Sequence, residues 1–344
     1  MANTLPEPHE RLDQVGREDV EAGLREAMGA GALSHGWIIA APRGAGKATL
    51  AYRLARGLLA PSALEDPATL QMAADTRTAK LVAQKAHPDL FAAERQLNEK
   101  TLRYQTEITV ETVRELTLFL NHTPAMGGFR VAIIDRADDL NRNAANALLK
   151  ALEEPSAKTA LFLLAEAPGR LLATIRSRCR RIDLRPAPDA EIAALVARET
   201  SLEGAQAARI VEAAQGRPGY ALSLAAGEGA AAIALADEFL ALGGGRGGGR
   251  GAAGPIAAAL AGKAGDEKWA IFGETVTSRL AHAARAAARG EQAPAPLAGA
   301  APDALLAAWE QLSELSARGD ALNLDRGQLV SAMAHDLRAA LGGS

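Results

Sequence analysis

Residues 129–155 read FRVAIIDRADDLNRNAANALLKALEEP, and this stretch decides the fold class. Val131-Ala-Ile-Ile134 is a short run, apolar at every position, that stops at Asp135. Such a run predicts a strand covered on both faces, as in a parallel sheet, because a half-exposed strand would alternate. A helix signal follows. Asn141 suits the N-cap, Ala145, Leu148, Leu149 and Leu152 form one apolar stripe at helical spacing, and Pro155 ends the run. Outward from here, the same strand signal recurs at Gly36-Trp-Ile-Ile-Ala40 and Ala160-Leu-Phe-Leu-Leu-Ala165. A weaker one stands at Asp89-Leu-Phe91, after a turn at His87-Pro88. Short buried strands with helices between them specify an α/β fold, a doubly wound parallel sheet over about residues 1–186.

The rest of the chain reads as helix. Residues 187–242, including Ala190–Arg198 and Gln206–Ala214, predict a small helical domain. Residues 243–254, GGGRGGGRGAAG, hold eight glycines in twelve positions and predict a flexible linker. In 255–344, Leu305, Ala308, Trp309 and Leu312 repeat at helical spacing, which predicts an all-helical domain. A length of 344 residues accommodates such a multidomain plan. The formal charge of −3, from 38 Lys+Arg against 41 Asp+Glu, excludes a broadly basic nucleic-acid coat. Aromatics at 3% argue against a base-stacking platform. No apolar run approaches the ~20 residues a bilayer span needs, and the start MANTLPEPHERLD lacks the pattern of an export signal. A cytoplasmic protein without membrane contact is expected. Cys179 is the only cysteine, which excludes an internal disulfide and a multi-cysteine zinc site.

Ala41-Pro-Arg-Gly-Ala-Gly-Lys-Ala-Thr49 lies between the first strand and a helix, where a phosphate loop would sit. Converging N–H groups at a helix start, glycines that admit the anion and a lysine are the parts required. Pro42, Gly44, Gly46, Lys47 and Thr49, with Asp135 at the end of the second strand, are therefore the candidate nucleotide-binding residues. The match to G-x-x-x-x-G-K-[ST] is incomplete. Ala41 replaces the first glycine and Ala48 the hydroxyl residue that holds magnesium; Thr49, one residue later, is rotated by ~100° around the helix. Arg136 follows Asp135, where hydrolysis needs a proton acceptor, and a guanidinium cannot accept one. Asp138 and Asp139 lie beyond the strand end and read as surface or capping residues. The loop alone fits two readings, a degenerate phosphate cradle and a tight strand-to-helix turn without ligand. A self-sufficient ATPase is not expected.

The loop at 41–49, the block at 129–155 and APGRLLATIRSRCRRIDL (167–184) together resemble clamp-loader subunits of the AAA+ class. The resemblance is strongest to the delta-prime branch of the bacterial DNA polymerase III loader, over about residues 10–240. It implies an AAA+ P-loop-type sheet domain (1–186), a helical lid (187–242) and a helical collar (255–344) that oligomerises. It implies ATPase (gamma/tau) and delta subunits as partners, with the sliding clamp and primer–template DNA met through the assembly. It implies a part in loading that clamp as a subunit of the polymerase holoenzyme, with ATP cleaved by neighbours. The family's Ser-Arg-Cys motif falls on Ser177-Arg178-Cys179, which makes Arg178 an arginine finger acting in trans. That role raises phosphoryl-transfer rates by ~10³–10⁵.

Without the resemblance, Arg170, Arg176, Arg178, Arg180, Arg181 and Arg185 are a solvated basic edge, and Cys179 is a small packed residue. By the resemblance, the nucleotide-sensing arginine that the ATPase subunits carry in a Leu-Arg-Asp-Ala context is replaced here by Gly219 in Gly216-Arg-Pro-Gly-Tyr-Ala221, with Arg217 offset. Pro61–His87 lacks the four cysteines that hold zinc in many relatives. No zinc and no other required cofactor are expected, while residual ATP or ADP binding at Gly46-Lys47 stays open. The competing readings are an active AAA+ ATPase (gamma/tau-like, or a helicase loader) and a regulatory DNA-binding module. Ala48, Arg136 and Gly219 count against the first; charge and scarce aromatics count against the second.

Overall fold

The computed structural model describes residues 5–29, 34–66, 69–94, 97–98, 103–104, 107–244, 252–261, 265–322 and 324–342. In chain order the elements begin α1 (Glu18–Gly29), β1 (Gly36–Ala40), α2 (Lys47–Leu59), β2 (Leu64–Asp66), β3 (Gln71–Met72), α3 (Arg77–Ala83) and β4 (Leu90–Ala93). They continue β5 (Leu97–Asn98), β6 (Arg103–Tyr104), α4 (Val110–Leu120), β7 (Arg130–Ile134), α5 (Arg142–Glu153), β8 (Thr159–Ala165), α6 (Ala173–Arg176) and β9 (Arg180–Asp183). The remainder is helical: α7 (Asp189–Glu199), α8 (Gly204–Ala214), α9 (Pro218–Ala226), α10 (Gly229–Ala241), α11 (Gly254–Leu260), α12 (Asp266–Ala288), α13 (Pro302–Leu322) and α14 (Arg326–Leu341).

Five strands form one parallel sheet in the order β4-β7-β8-β1-β9. The consecutive apolar residues of β1, β7 and β8 serve both of its faces. Trp37, Ile39, Val131, Ile133, Phe162 and Leu164 pack with Leu50, Leu54 and Leu58 of α2. Their alternates Ile38, Ala132, Ile134, Leu161 and Leu163 pack with Val113 and Leu116 of α4 and Leu148 and Leu152 of α5. This is why these runs do not alternate in polarity. The capping expectation at α5 holds: the Asn141 side chain accepts from the Ala144 N–H at 2.9 Å. The edge strand β9 and the small hairpins β2–β3 and β5–β6 carry no apolar run and were outside the sequence reading.

The described chain divides into two compact units, Met1–Glu199 with Ala214–Ala221, and Thr200–Ala213 with Leu222–Ser344. In the second unit, Phe239 and Leu240 of α10 are fully buried in the same cluster as Phe272 and Leu280 of α12, Leu305 and Leu312 of α13, and Met333 and Leu337 of α14. The Phe239 and Phe272 rings meet edge to face at 5.3 Å. Arg279 of α12 pairs with Asp237 of α10 and, at 3.7 Å, with Glu212 of α8. Helices assigned by sequence to a lid (187–242) and a collar (255–344) thus share one core, and the break in packing does not fall at 243–254. Of the glycine-rich stretch, 245–251 lies outside the described residues, whereas Leu242–Gly244 forms a helical turn and Gly254 begins α11.

Candidate functional site

The loop after β1 is built around two left-handed glycines, Gly44 (φ +77°) and Gly46 (φ +92°). Gly46 caps α2, and Lys47 is that helix's first residue. The Lys47 ammonium turns back on its own loop, donating to the Ala41 carbonyl at 2.8 Å and the Pro42 carbonyl at 3.0 Å. Its side chain is buried, and burial lowers its pKa, against the opposing pull of Glu166 and Asp135. The Gly44 carbonyl accepts from the N–H groups of Gly219 (2.8 Å) and Tyr220 (3.3 Å) at the start of α9. A Cβ on Gly44 would lie 2.6 Å from the Tyr220 backbone nitrogen, and one on Gly219 would lie 3.1 Å from the Gly44 oxygen. Gly219, which by the resemblance replaces a sensing arginine, is thus a point where two backbones approach closely. Thr49 lies half-buried in the first turn of α2.

A strap of residues 9–17, absent from the sequence reading, closes over this loop. Arg17, almost wholly buried, donates to the Ala45 carbonyl at 2.7 Å. Arg56 of α2 donates to the Arg11 carbonyl at 2.8 Å and the His9 carbonyl at 2.5 Å. Arg53 bonds the Leu12 carbonyl and pairs with Glu21 at 2.6 Å. Burial and the neighbouring Arg53 bring the Arg56 pKa down to about 10. Gln14 stands over Gly46, its Nε2 2.9 Å from where a Cβ would project. Arg53 and Arg56 lie three apart on the side of α2 turned away from its Leu50, Leu54 and Leu58 stripe, where charged residues are ordinary, so nothing in the sequence marks the strap.

At the end of β7, Asp135 is held by its backbone, its N–H donating to Ala93 at 3.0 Å. Burial and the Glu94 carboxylate push its carboxyl pKa up, with Lys47 opposing. Arg136, itself at φ +62°, donates to Asp139 at 2.8 Å. Asp138 accepts from the Glu166 and Ala167 N–H groups at 2.6 and 2.9 Å. Of the two aspartates read from sequence as surface or capping residues, Asp138 caps backbone N–H groups after β8 and Asp139 pairs with Arg136, and both are half-buried.

Ser177-Arg178-Cys179 links α6 to β9. The Ser177 hydroxyl donates to Thr174 O at 3.1 Å. Cys179 Sγ lies 3.0 Å from where a Cβ on Gly36 would sit, and burial pushes its thiol up to about 12, the state of an inert packing residue. Between them Arg178 projects its guanidinium, 35% exposed. Since β9 runs parallel to β1 with Arg180 opposite Trp37, Arg178 lies level with His35, six residues before Ala41. At about 3.3 Å per residue the two are about 20 Å apart along the strands. Pro42, Gly44, Gly46, Lys47, Thr49 and Asp135 thus gather at one end of the sheet, and Arg178 stands at the other.

A family model described as DNA polymerase III, delta subunit, matches residues 16–188. The chain belongs to that family. It is 40% identical over 146 residues to DNA polymerase III subunit delta' of Pseudomonas aeruginosa, covering 42% of each chain. It is 36% identical over 199 residues to the delta' subunit of Escherichia coli K12, covering 58% of this chain and 57% of that one. The tau subunit of Salmonella typhimurium is 31% identical over 178 residues, 52% of this chain and 26% of tau. The delta' matches span about half the length of those relatives. Among the described residues, no group of three or more His, Cys, Asp or Glu side chains is placed to hold a metal ion. No single described helix is long and apolar enough to cross a membrane.

Proposed function

We propose that this chain is a non-hydrolysing, delta'-like subunit of a DNA polymerase III clamp loader, lending Arg178 to a triphosphate held by a neighbouring ATPase (gamma/tau) subunit. Its place is in the cytoplasmic assembly that also contains delta and loads the sliding clamp onto primer–template DNA. The observation that carries this reading is the separation of parts. The finger stands about 20 Å from the chain's own loop along the strands, so it serves a nucleotide on another subunit.

The loop supports the same reading. A magnesium–triphosphate needs a free ammonium, open N–H groups and a hydroxyl on the first helical turn. Lys47 instead braces Ala41 and Pro42, Arg17 and Gln14 lie over the loop, and Ala48 has no hydroxyl. These residues do not fit the nucleotide, and no hydrolytic step is assigned to them. No zinc or other cofactor is required by the proposal.

The test is reconstitution with the ATPase subunits, delta, the clamp and primed DNA. The purified chain alone turns over no ATP, the wild-type assembly loads clamps, and Arg178→Ala impairs ATP-driven loading. Full loading by the Arg178→Ala assembly would refute the finger role.

A further inference from the structure

The Arg178 guanidinium already has partners within the chain. Nη1 donates to the Thr174 carbonyl at 3.0 Å, and Nη2 lies 2.7 Å from Glu153 Oε1. Glu153 is the last residue of α5, where the negative end of the helix dipole disfavours a carboxylate. Helix stability therefore does not favour a carboxylate at this position, where Arg178 supplies its counter-charge. The helix end itself is fixed: the Leu152 carbonyl accepts from His35 Nε2 at 2.8 Å, and the Leu152 side chain packs against Gly36. The two charged side chains, in contrast, are 35% and 49% exposed and free to part.

We infer that Glu153 is a positioning residue for Arg178: its carboxylate occupies the guanidinium's donors until a neighbour's triphosphate displaces it. The inference rests on Arg178 acting in trans as proposed above. Carboxylate and phosphate present similar paired oxygens to an arginine fork. The two anions repel each other, so phosphate contact requires Glu153 to withdraw. An exposed ion pair is weak; a polyanion breaks it, at the expense of a several-fold loss in apparent affinity.

The experiment is steady-state ATP titration of the complete reconstituted assembly carrying wild-type chain, Glu153→Gln, Arg178→Ala or both changes. Glu153→Gln lowers the apparent KM for ATP by about 2–5-fold, the equivalent of one exposed ion pair, and leaves kcat unchanged. The difference from wild type shrinks as salt screens the pair, and it disappears in the Arg178→Ala background. An unchanged KM, or a fall in kcat, with Arg178→Ala still slow overturns the Glu153 role and leaves the finger standing. Unchanged turnover with Arg178→Ala overturns both.

Discussion

The two cationic sites of the first unit differ in how their donors are used. At the loop, Lys47 and Arg17 are buried and donate to backbone carbonyls, Lys47 to Ala41 and Pro42 and Arg17 to Ala45 and Gly16. At the other end of the sheet, Arg178 is part-exposed and held by the Thr174 carbonyl, the Ser177 hydroxyl and the carboxylate of an exposed side chain, Glu153. A buried cation satisfied by backbone is structural, because releasing it strands both the charge and the carbonyls. An exposed cation held by an exchangeable partner is available to a ligand. The same comparison explains why, in the proposal, a lysine that fits a familiar pattern binds nothing and an arginine in a charged run has the acting role.

The largest effect that would break this contrast belongs to Arg178. Arg178→Ala should slow hydrolysis at the adjoining interface by ~10³-fold or more, read by single-turnover kinetics of the assembly. Next comes the loop's backbone. Gly44→Ala must place a side chain at φ +77° against the Tyr220 backbone, and should destabilise the chain by about 2–4 kcal/mol. Gly127→Ala, also at positive φ but facing open space, should cost only about 1 kcal/mol. Denaturant midpoints separate the two, and equal losses would mean the Gly44–Tyr220 contact is unimportant. Lys47→Met leaves two loop carbonyls without their donor and should cost about 1–3 kcal/mol, measured the same way.

The smallest effect is pH-dependent. Burial and Glu94 raise the Asp135 pKa in the folded state. Stability from its protonated form is therefore complete below the unfolded value of about 3.9 and is lost as pH rises through the folded value. Asp135→Asn should be more stable than wild type at pH 7, with the gap closing below about pH 4. A less stable variant at pH 7 would instead give the carboxylate a stabilising role that this geometry does not.

Much of the sheet was legible because burial on both faces leaves an unbroken apolar run, and β1, β7 and β8 stand where Gly36–Ala40, Val131–Ile134 and Ala160–Ala165 predicted. Strand β9 was illegible: at a sheet edge Arg180, Arg181 and Asp183 stay exposed, so no hydrophobic pattern marks them. The shared core of α10 with α11–α14 was hidden by the glycines at 243–254, whose composition suggests separation whatever the flanking helices bury. At the site, Ala48 stands in the first turn of α2 and Arg136 in the turn after β7, the places where the sequence puts them. The strap was not legible, because Arg17, Arg53 and Arg56 donate to backbone carbonyls, and carbonyls carry no sequence signature. Glu153 escaped for a related reason: its partner lies 25 positions away across a strand crossover.

The most direct test sets the two regions against each other in one assay. Wild-type, Lys47→Met and Arg178→Ala chains are each added to the ATPase subunits, and the rise in ATP turnover is recorded. The account predicts that Lys47→Met stimulates as wild type does and Arg178→Ala does not. Stimulation by Arg178→Ala together with failure of Lys47→Met would contradict it.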